Sequence, residues 1–124
     1  MTKQVMIDTN FFMVPYSLGI DLFSELERLL PGFEPVTLSS VVDELLSIKK
    51  TSGKDAIAAS IGLQLIEKRG IGIINSHMET DDAIVELASR GKIPVCTNDT
   101  ELKRRLIRSG VKVICVRGKG LSFI

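Results

Sequence analysis

Short apolar runs alternate with helical patterns along this chain, and that alternation constrains its fold more than any other feature. The runs predict strands at residues 5–7, 35–38, 71–74, 93–96 and 111–116, and the helical patterns cover residues 17–30, 40–50, 54–69, 80–90 and 98–109. Such an order is typical of one α/β domain, residues 1–124, in which helices cover both faces of a mainly parallel sheet. Polar residues that follow strands would then line the edge of the sheet where ligands bind.

Composition excludes several classes of protein. No apolar run approaches the ~18 residues of a membrane span, and Asp8 interrupts any signal-peptide core near the N-terminus. Two cysteines and one histidine are too few for a disulfide scaffold or a zinc hydrolase. The absence of tryptophan and the few other aromatic residues argue against a base-stacking platform. We therefore expect a cytoplasmic protein that has no membrane partner and keeps its cysteines reduced.

Two carboxylates occupy positions that a structural role explains poorly. Asp8 closes the first predicted strand, where it would reach the ligand-binding edge, although a capping role would also suit a single Asp there. Glu44 lies at the edge of the apolar arc of its helix, between Val41 and Ile48. Asp43 points further from that arc, and we expect it to cap the helix together with Ser40.

Two further acids begin helices and face the apolar side. Asp81 shares a face with Ile84 and Val85, whereas Asp82 lies about 100° round the helix and is explained by the helix dipole. Asp99 shares the face of Leu102 and Leu106 in the last predicted helix. Asn98 and Glu101 complete a capping box there, so we expect that the cap does not need Asp99.

These four carboxylates, if they converge, require a counter-charge. Burying an unpaired carboxylate costs several kcal/mol, and neighbouring carboxylates raise each other's pKa. Because few Lys or Arg residues are interleaved with the acids, a hard divalent cation, Mg²⁺ or Mn²⁺, is the expected partner. Neutral residues beside the acids could orient a carboxylate or a water, although each also suits a turn or a cap; they are Thr9, Asn10, Thr97 and Asn98.

The net charge of +1 conceals an uneven distribution. Residues 99–124 carry seven Lys or Arg and two acids, whereas the rest of the chain is net acidic. A basic cluster of this kind is often only a solvated face, but it also suits an anionic partner. The expected phosphate-binding residues, among which Lys103 is the nearest to Asp99 along its helix, are Lys103, Arg104, Arg105, Arg108, Arg117 and Lys119.

The order of these motifs resembles the PIN-domain family of metal-dependent ribonucleases. The resemblance rests on IDTN after the first strand, SSVVDELL around Glu44, TDDAIVELA around Asp81 and TNDTELKRRL around Asp99. It implies a five-stranded parallel sheet of order 3-2-1-4-5, with Asp8 and Asp99 on neighbouring strands. It also implies that Asp8, Glu44, Asp81 and Asp99 are the catalytic metal ligands, that Asp82 is the less favoured alternative to Asp81, and that the protein forms a homodimer.

The leading functional hypothesis is a Mg²⁺- or Mn²⁺-dependent endoribonuclease, and the basic C-terminal segment favours an archaeal role in ribosomal RNA processing. Two alternatives remain open: a non-catalytic RNA-binding scaffold in ribosome assembly, and a VapC-type toxin with an antitoxin partner. A phosphoacceptor receiver domain is disfavoured because the strand at 71–74 ends in Asn75-Ser76 rather than an Asp. No GxGxxG motif follows a strand, which disfavours nucleotide binding.

Overall fold

A computed structural model describes residues 3–124 as a six-stranded sheet with six helices. The strand order is β3-β2-β1-β4-β5-β6, and every neighbouring pair is parallel except β5 and β6. The α/β class and the order 3-2-1-4-5 are confirmed, with one further strand added at the edge. The strands are β1 (Lys3–Ile7), β2 (Phe33–Leu38), β3 (Gly72–Ile74), β4 (Val95–Cys96), β5 (Val113–Arg117) and β6 (Gly120–Phe123).

The helices form two packed groups around a continuous apolar core. The helices are α1 (Thr9–Leu18), α2 (Leu22–Leu29), α3 (Ser39–Lys49), α4 (Lys54–Lys68), α5 (Thr80–Gly91) and α6 (Thr100–Arg108). Helices α1 and α3 both pack on α4, while α5 packs on α6. In the described part of the chain, no helix has the length and apolar character needed to cross a membrane.

The first helical region differs from the prediction of one helix over residues 17–30. Gly19 adopts a left-handed conformation (φ 66°) that ends α1, and the side chain of Asp21 caps α2. The pattern of α1 was missed because Phe11, Phe12 and Val14 bury neighbouring sides of the helix and Pro15 lies within it. As a consequence, Asp8 both closes β1 and caps the helix that follows.

The last segment is a β-hairpin, whose second strand lies beyond the last predicted strand at residues 111–116. Strand β6 runs antiparallel to β5, and Gly118 turns the chain with a φ of 62°. Leu121 is buried beside the core strand β5, so the apolar residues near the C-terminus extend the sheet. The sheet therefore has six strands where five were predicted.

Two predicted caps are wrong. Helix α3 begins at Ser39 without a side-chain cap, the Ser40 hydroxyl is buried without a hydrogen-bond partner, and Asp43 is exposed. At α6 the cap is Asp99, whose Oδ1 accepts a hydrogen bond of 2.8 Å from the backbone N–H of Leu102. The N-cap of α3 is Leu38, two residues before Ser40, and the N-cap of α6 is Asp99, one residue after Asn98.

The register of the central strands positions the functional edge. Ile7 of β1 pairs with Cys96 of β4, which pairs with Ile114 of β5. The next residues, Asp8 and Thr97, continue this alignment, because their backbone N–H groups donate to the carbonyls of Cys96 (3.0 Å) and Ile114 (3.1 Å). Polar side chains from two neighbouring strands thus emerge together where β1 and β4 end.

Candidate metal centre

Asp8 lies at the centre of the polar edge and is only 5% exposed. Its Oδ1 accepts a hydrogen bond of 2.8 Å from the backbone N–H of Thr9. Its Oδ2 accepts from the Thr97 hydroxyl at 2.8 Å and from the Asn10 amide at 3.3 Å. These three donors fix the orientation of a carboxylate that no positively charged side chain pairs with among residues 3–124.

The pKa of Asp8 is raised above its ordinary value. Burial is the main cause, because it disfavours the charged form, and the hydrogen bonds from Thr97 and Thr9 oppose it. The negative charges of Glu44 and Asp99 raise the pKa further. Three acids predicted to converge therefore do influence one another, and a cation beside Asp8 would relieve both effects.

A hydrogen-bonded network connects this carboxylate to the neighbouring strands. The Asn10 carbonyl oxygen accepts from the backbone N–H of Asn98 at 3.2 Å, and the Asn98 side chain accepts from the N–H of Val116 at 3.0 Å. The Thr97 hydroxyl also accepts from the N–H of Asp99 at 3.1 Å. Asn10 and Thr97 thus bind Asp8 directly, and Asn98 is linked to it through Asn10, whereas the buried Thr9 hydroxyl has no partner within the described residues. Their role beside a metal ion stays a prediction.

Glu44 reaches the site from α3 and is held by a residue that the sequence pattern did not indicate. The Thr80 hydroxyl, in the first turn of α5, donates to Oε2 of Glu44 at 2.6 Å. Glu44 is otherwise exposed, so this bond is the contact that ties it to the helix bearing Asp81. The only sequence signal that could have indicated Thr80 as a site residue is its position directly before Asp81.

Asp81 is partly buried and faces the other acids. Its pKa is raised to about 6, first because burial disfavours the charged form and then because Asp8, Glu79 and Asp99 repel its charge. Arg105 partly offsets these effects. Glu79 was missed at the sequence level, because it precedes the predicted helix and its role as the cap of α5 depends on the loop geometry.

Asp82 points away from the cluster, in agreement with the prediction that Asp81 is the inward acid. Its Oδ1 accepts from the Arg105 guanidinium at 2.7 Å, and both side chains are well exposed. Its backbone N–H donates to Glu79 at 3.2 Å. Asp81 therefore lies beside the other acids, whereas Asp82 pairs with Arg105 of α6.

Asp99 caps α6, although the sequence pattern predicted that Asn98 would be the cap. One of its carboxylate oxygens caps α6, as described above, yet the side chain is exposed and lines the same cavity as Asp8. The contribution of Asp99 to the pKa of both Asp8 and Asp81 indicates that its charge faces them. Capping and facing the site are therefore compatible in this residue.

All four predicted acids border one open cavity of about 350 Å³. Across residues 3–124, no three His, Cys, Asp or Glu side chains are arranged so that they could hold a metal ion as they stand. The donor set nevertheless fits a hard cation: it is oxygen only, its innermost carboxylate is buried without a counter-charge, and its members raise one another's pKa. The cavity is lined by Asp8, Thr9, Asn10, Met13, Glu44, Ile48, Glu79, Thr80, Asp81 and Asp99.

The predicted phosphate-binding residues differ in their exposure and in their ion pairs. Arg104 pairs with Glu101 and Arg105 pairs with Asp82, so both guanidinium groups have acidic partners on the surface. Lys103, expected to be the best placed, is partly buried and does not line the cavity. The exposed remainder carries no ion pair within residues 3–124 and consists of Arg108, Arg117 and Lys119.

Comparison with known proteins agrees with this arrangement. A family described as "PIN like domain" matches residues 5–119. Ribonuclease VapC4 of Methanocaldococcus jannaschii is 31% identical over 121 residues, which cover 94% of this chain and 92% of that protein. Ribonuclease VapC9 of Archaeoglobus fulgidus is 29% identical over 109 residues, covering 86% of this chain and 78% of that protein.

A solved structure gives the same result for the fold. The PIN domain endonuclease Utp24 superposes with a TM-score of 0.78 and 28% sequence identity. The superposition covers 97% of this chain and 90% of that one. The superposition therefore extends over nearly the whole chain.

Proposed function

Because this chain belongs to the PIN-like domain family, we propose that it is a Mg²⁺- or Mn²⁺-dependent endoribonuclease that hydrolyses phosphodiester bonds of RNA. The observation that carries the proposal is the convergence of Asp8, Glu44, Asp81 and Asp99 on one cavity, with the pKa of Asp8 and Asp81 raised by their neighbours. The names of the curated relatives, both ribonucleases, support it.

The proposed roles follow from the contacts of each acid. Asp8, Asp81 and Asp99 hold the cation, while Glu44 binds it or orients the attacking water. Thr97 and Asn10 keep the Asp8 carboxylate in one orientation through their hydrogen bonds to Oδ2. A bound Mg²⁺ or Mn²⁺ supplies Lewis acidity, which lowers the pKa of water and stabilises the charge that develops on the phosphodiester.

The substrate is held by positive charge outside the cavity. Arg108, Arg117 and Lys119 are exposed and suit phosphate contacts that do not depend on sequence. Lys103, Arg104 and Arg105 remain candidates for the same role, although two of them would first exchange an acidic side chain for a phosphate. Binding should therefore weaken as the salt concentration rises.

The decisive experiment compares the wild type with Asp8→Asn. We expect the substitution to abolish Mn²⁺-dependent cleavage of RNA while the circular dichroism spectrum is retained, because Asn preserves the shape of the side chain and removes its charge. Equal cleavage by both proteins, purified in parallel, would refute the proposal. A wild type whose melting temperature rises with Mn²⁺ but which cuts no RNA would instead support the alternative of a non-catalytic RNA-binding scaffold.

The biological role divides between two candidates. The basic C-terminal segment favours RNA processing, with a ribosome-assembly partner, whereas the names of both curated relatives favour a VapC-type toxin with an antitoxin. Expression of the wild type and of Asp8→Asn in a test host separates these two roles, since a toxin arrests growth only when its acids are intact.

We place the protein in the cytoplasm, where its free cysteines stay reduced. We also expect it to form a homodimer, which sedimentation analysis would test.

A further inference from the structure

The hairpin of β5 and β6 carries two exposed cations at the edge of the sheet where the acids lie. Strands β1, β4 and β5 are parallel, so the turn that follows β5 emerges on the same side as Asp8. Arg117 ends β5, and Lys119 lies in the turn before Gly120. From two strand spacings and two residues of strand rise, the backbone of Arg117 is roughly 12 Å from that of Asp8, and Lys119 lies further along the turn.

The hairpin is fastened to the body of the protein by a pair of side chains on α2. Oε1 of Glu25 accepts from the backbone N–H of Leu121 at 2.9 Å, and the Arg28 guanidinium donates to the carbonyl of the same residue at 2.7 Å. Glu25 and Arg28 also pair with each other at 3.0 Å. One residue of β6 thus has both backbone polar groups bound by side chains 93 and 96 positions away.

Gly120 leaves room for this contact. A Cβ atom there would meet Oε1 of Glu25, so a larger residue would require the carboxylate to shift from its position beside the strand. The pKa of Glu25 is lowered, first by the hydrogen bond from Arg28 and then by that from Leu121, as expected for a carboxylate that accepts two hydrogen bonds. We call the Glu25–Arg28 pair with its two bonds to Leu121 the α2 clamp.

A second attachment joins the hairpin directly to the acidic site. The N–H of Val116, one residue before Arg117, donates to the Asn98 side chain, and the backbone N–H of Asn98 contacts Asn10, which binds Asp8. The base of the hairpin and the central carboxylate therefore share one network of hydrogen bonds. The position of Arg117 is fixed relative to Asp8 from both sides.

We propose that the β5–β6 hairpin is a rigid basic arm that grips the RNA backbone at a set distance from the scissile phosphate, and that Glu25 and Arg28 are the positioning residues that hold it. The inference rests on the proposed ribonuclease function and adds a substrate requirement to it. An RNA must extend beyond the cavity to reach Arg117 and Lys119. A mobile arm would lose affinity because ordering it on binding carries an entropic cost.

The test compares three double variants. Arg117→Ala/Lys119→Ala removes the charges of the arm, and Glu25→Ala/Arg28→Ala removes the clamp while alanine preserves the helix. Glu86→Ala/Arg90→Ala is the matched control, because it removes another exposed ion pair from a helix without contact to the hairpin. The probes are single-stranded RNAs of about 4 and about 16 nucleotides, a range that spans short and long binding sites.

Affinity is measured by fluorescence anisotropy in EDTA, so that binding is read without cleavage. In the wild type and the control, we expect the longer RNA to bind several-fold more tightly than the shorter one. In the arm variant the longer RNA no longer binds more tightly than the shorter one. The plot of log affinity against log salt concentration becomes less steep by about 1.4, as the loss of two phosphate contacts predicts. In the clamp variant the advantage also falls, and the N–H of Leu121 exchanges faster with solvent.

Two outcomes would overturn the inference. An unchanged advantage of the longer RNA in the arm variant would mean that the hairpin does not bind RNA. An unchanged advantage in the clamp variant, with faster exchange at Leu121, would mean that the clamp only protects the edge of the sheet from other strands. Failure of the ribonuclease proposal is distinguishable, since it would appear as a lack of cleavage with Mn²⁺ by the wild type at either RNA length.

Discussion

The hydroxyl of Thr97 bridges two of the proposed metal ligands: it donates to Oδ2 of Asp8 at 2.8 Å and accepts from the backbone N–H of Asp99 at 3.1 Å. The bridge connects the end of β1 to the start of α6. Because both hydrogen bonds are made by one buried group, this single side chain links the positions of the two acids directly.

Thr97→Val should weaken metal binding more than it weakens the fold. Valine keeps the shape of the side chain but removes both hydrogen bonds, so Asp8 loses one of the three donors that orient it and its direct link to Asp99. We expect the affinity for Mn²⁺ to fall roughly 10- to 100-fold, measured by calorimetric titration. Thr37→Val is the matched control, because the Thr37 hydroxyl is equally buried but donates to the carbonyl of Ile7. An equal loss of Mn²⁺ affinity in both variants would contradict this role of Thr97.

The adjacent aspartates of α5 should respond differently to the same substitution. Asp81→Asn should remove most of the Mn²⁺ affinity and the cleavage activity, because its carboxylate faces Asp8. Asp82→Asn should retain both, since it loses only an exposed pair with Arg105. The measurement is again calorimetric titration with Mn²⁺, and a reversed result would assign the ligand to Asp82.

The affinity for Mn²⁺ should fall steeply as the solution becomes more acidic than about pH 6. The raised pKa of Asp81, about 6, means that a proton competes with the cation at a pH where ordinary carboxylates are ionised. Titrations between pH 5 and pH 8 at constant ionic strength measure this effect. In Asp81→Asn the residual affinity should show a weaker dependence on pH in that interval.

The same raised pKa has a consequence for stability in EDTA. The folded protein binds the Asp81 proton more tightly than the unfolded chain does, so this group stabilises the fold at low pH. That contribution is lost as the pH rises through about 6. Asp81→Asn should therefore raise the melting temperature at pH 7 relative to the wild type, and the difference should shrink toward pH 4. A constant difference across this range would argue against the shifted pKa.

Gly62→Ala should destabilise the protein although it improves the helix propensity of α4. An added Cβ would lie 2.9 Å from the backbone oxygen and 3.0 Å from the Cβ of Phe12, which is too close. The propensity gain of about 1 kcal/mol is then outweighed by a clash that typically costs about 1–3 kcal/mol. Thermal melting checks this, with the exposed Gln64→Ala on the same helix as the control. A higher melting temperature for Gly62→Ala would show that α1 moves aside freely.

The parts of the site that depend on local pattern were predictable from the sequence. Asp8 follows a buried strand, and Asp81 shares the apolar face of its helix, so helical periodicity favoured Asp81 over Asp82 as the inward acid. The strand order followed from the family resemblance, and the register of β1 on β4 agrees with it. In each case the relevant signal lies within a few residues of the acid.

The features that were missed depend on contacts between distant segments. Thr80 holds Glu44 across 36 positions, and the clamp on Leu121 spans more than 90. Glu79 lines the cavity because the loop before α5 brings its carboxylate to the first turn of that helix, where it accepts a hydrogen bond from the backbone N–H of Asp82. Capping patterns failed at Ser40 and Asn98, because α3 begins at Ser39 without a side-chain cap and Asp99 caps α6.

The Asp81–Asp82 pair makes one dipeptide sensitive to two different properties of the solution. The partly buried Asp81 faces a cavity suited to divalent ions, whereas the exposed Asp82–Arg105 pair is weakened by any added salt. Adding MgCl₂ supplies the cation for the cavity and also screens the Asp82–Arg105 pair, whereas adding KCl supplies screening without a divalent ion. An apparent Mg²⁺ requirement of this enzyme therefore contains an ionic-strength component, which KCl compensation at each Mg²⁺ concentration would remove.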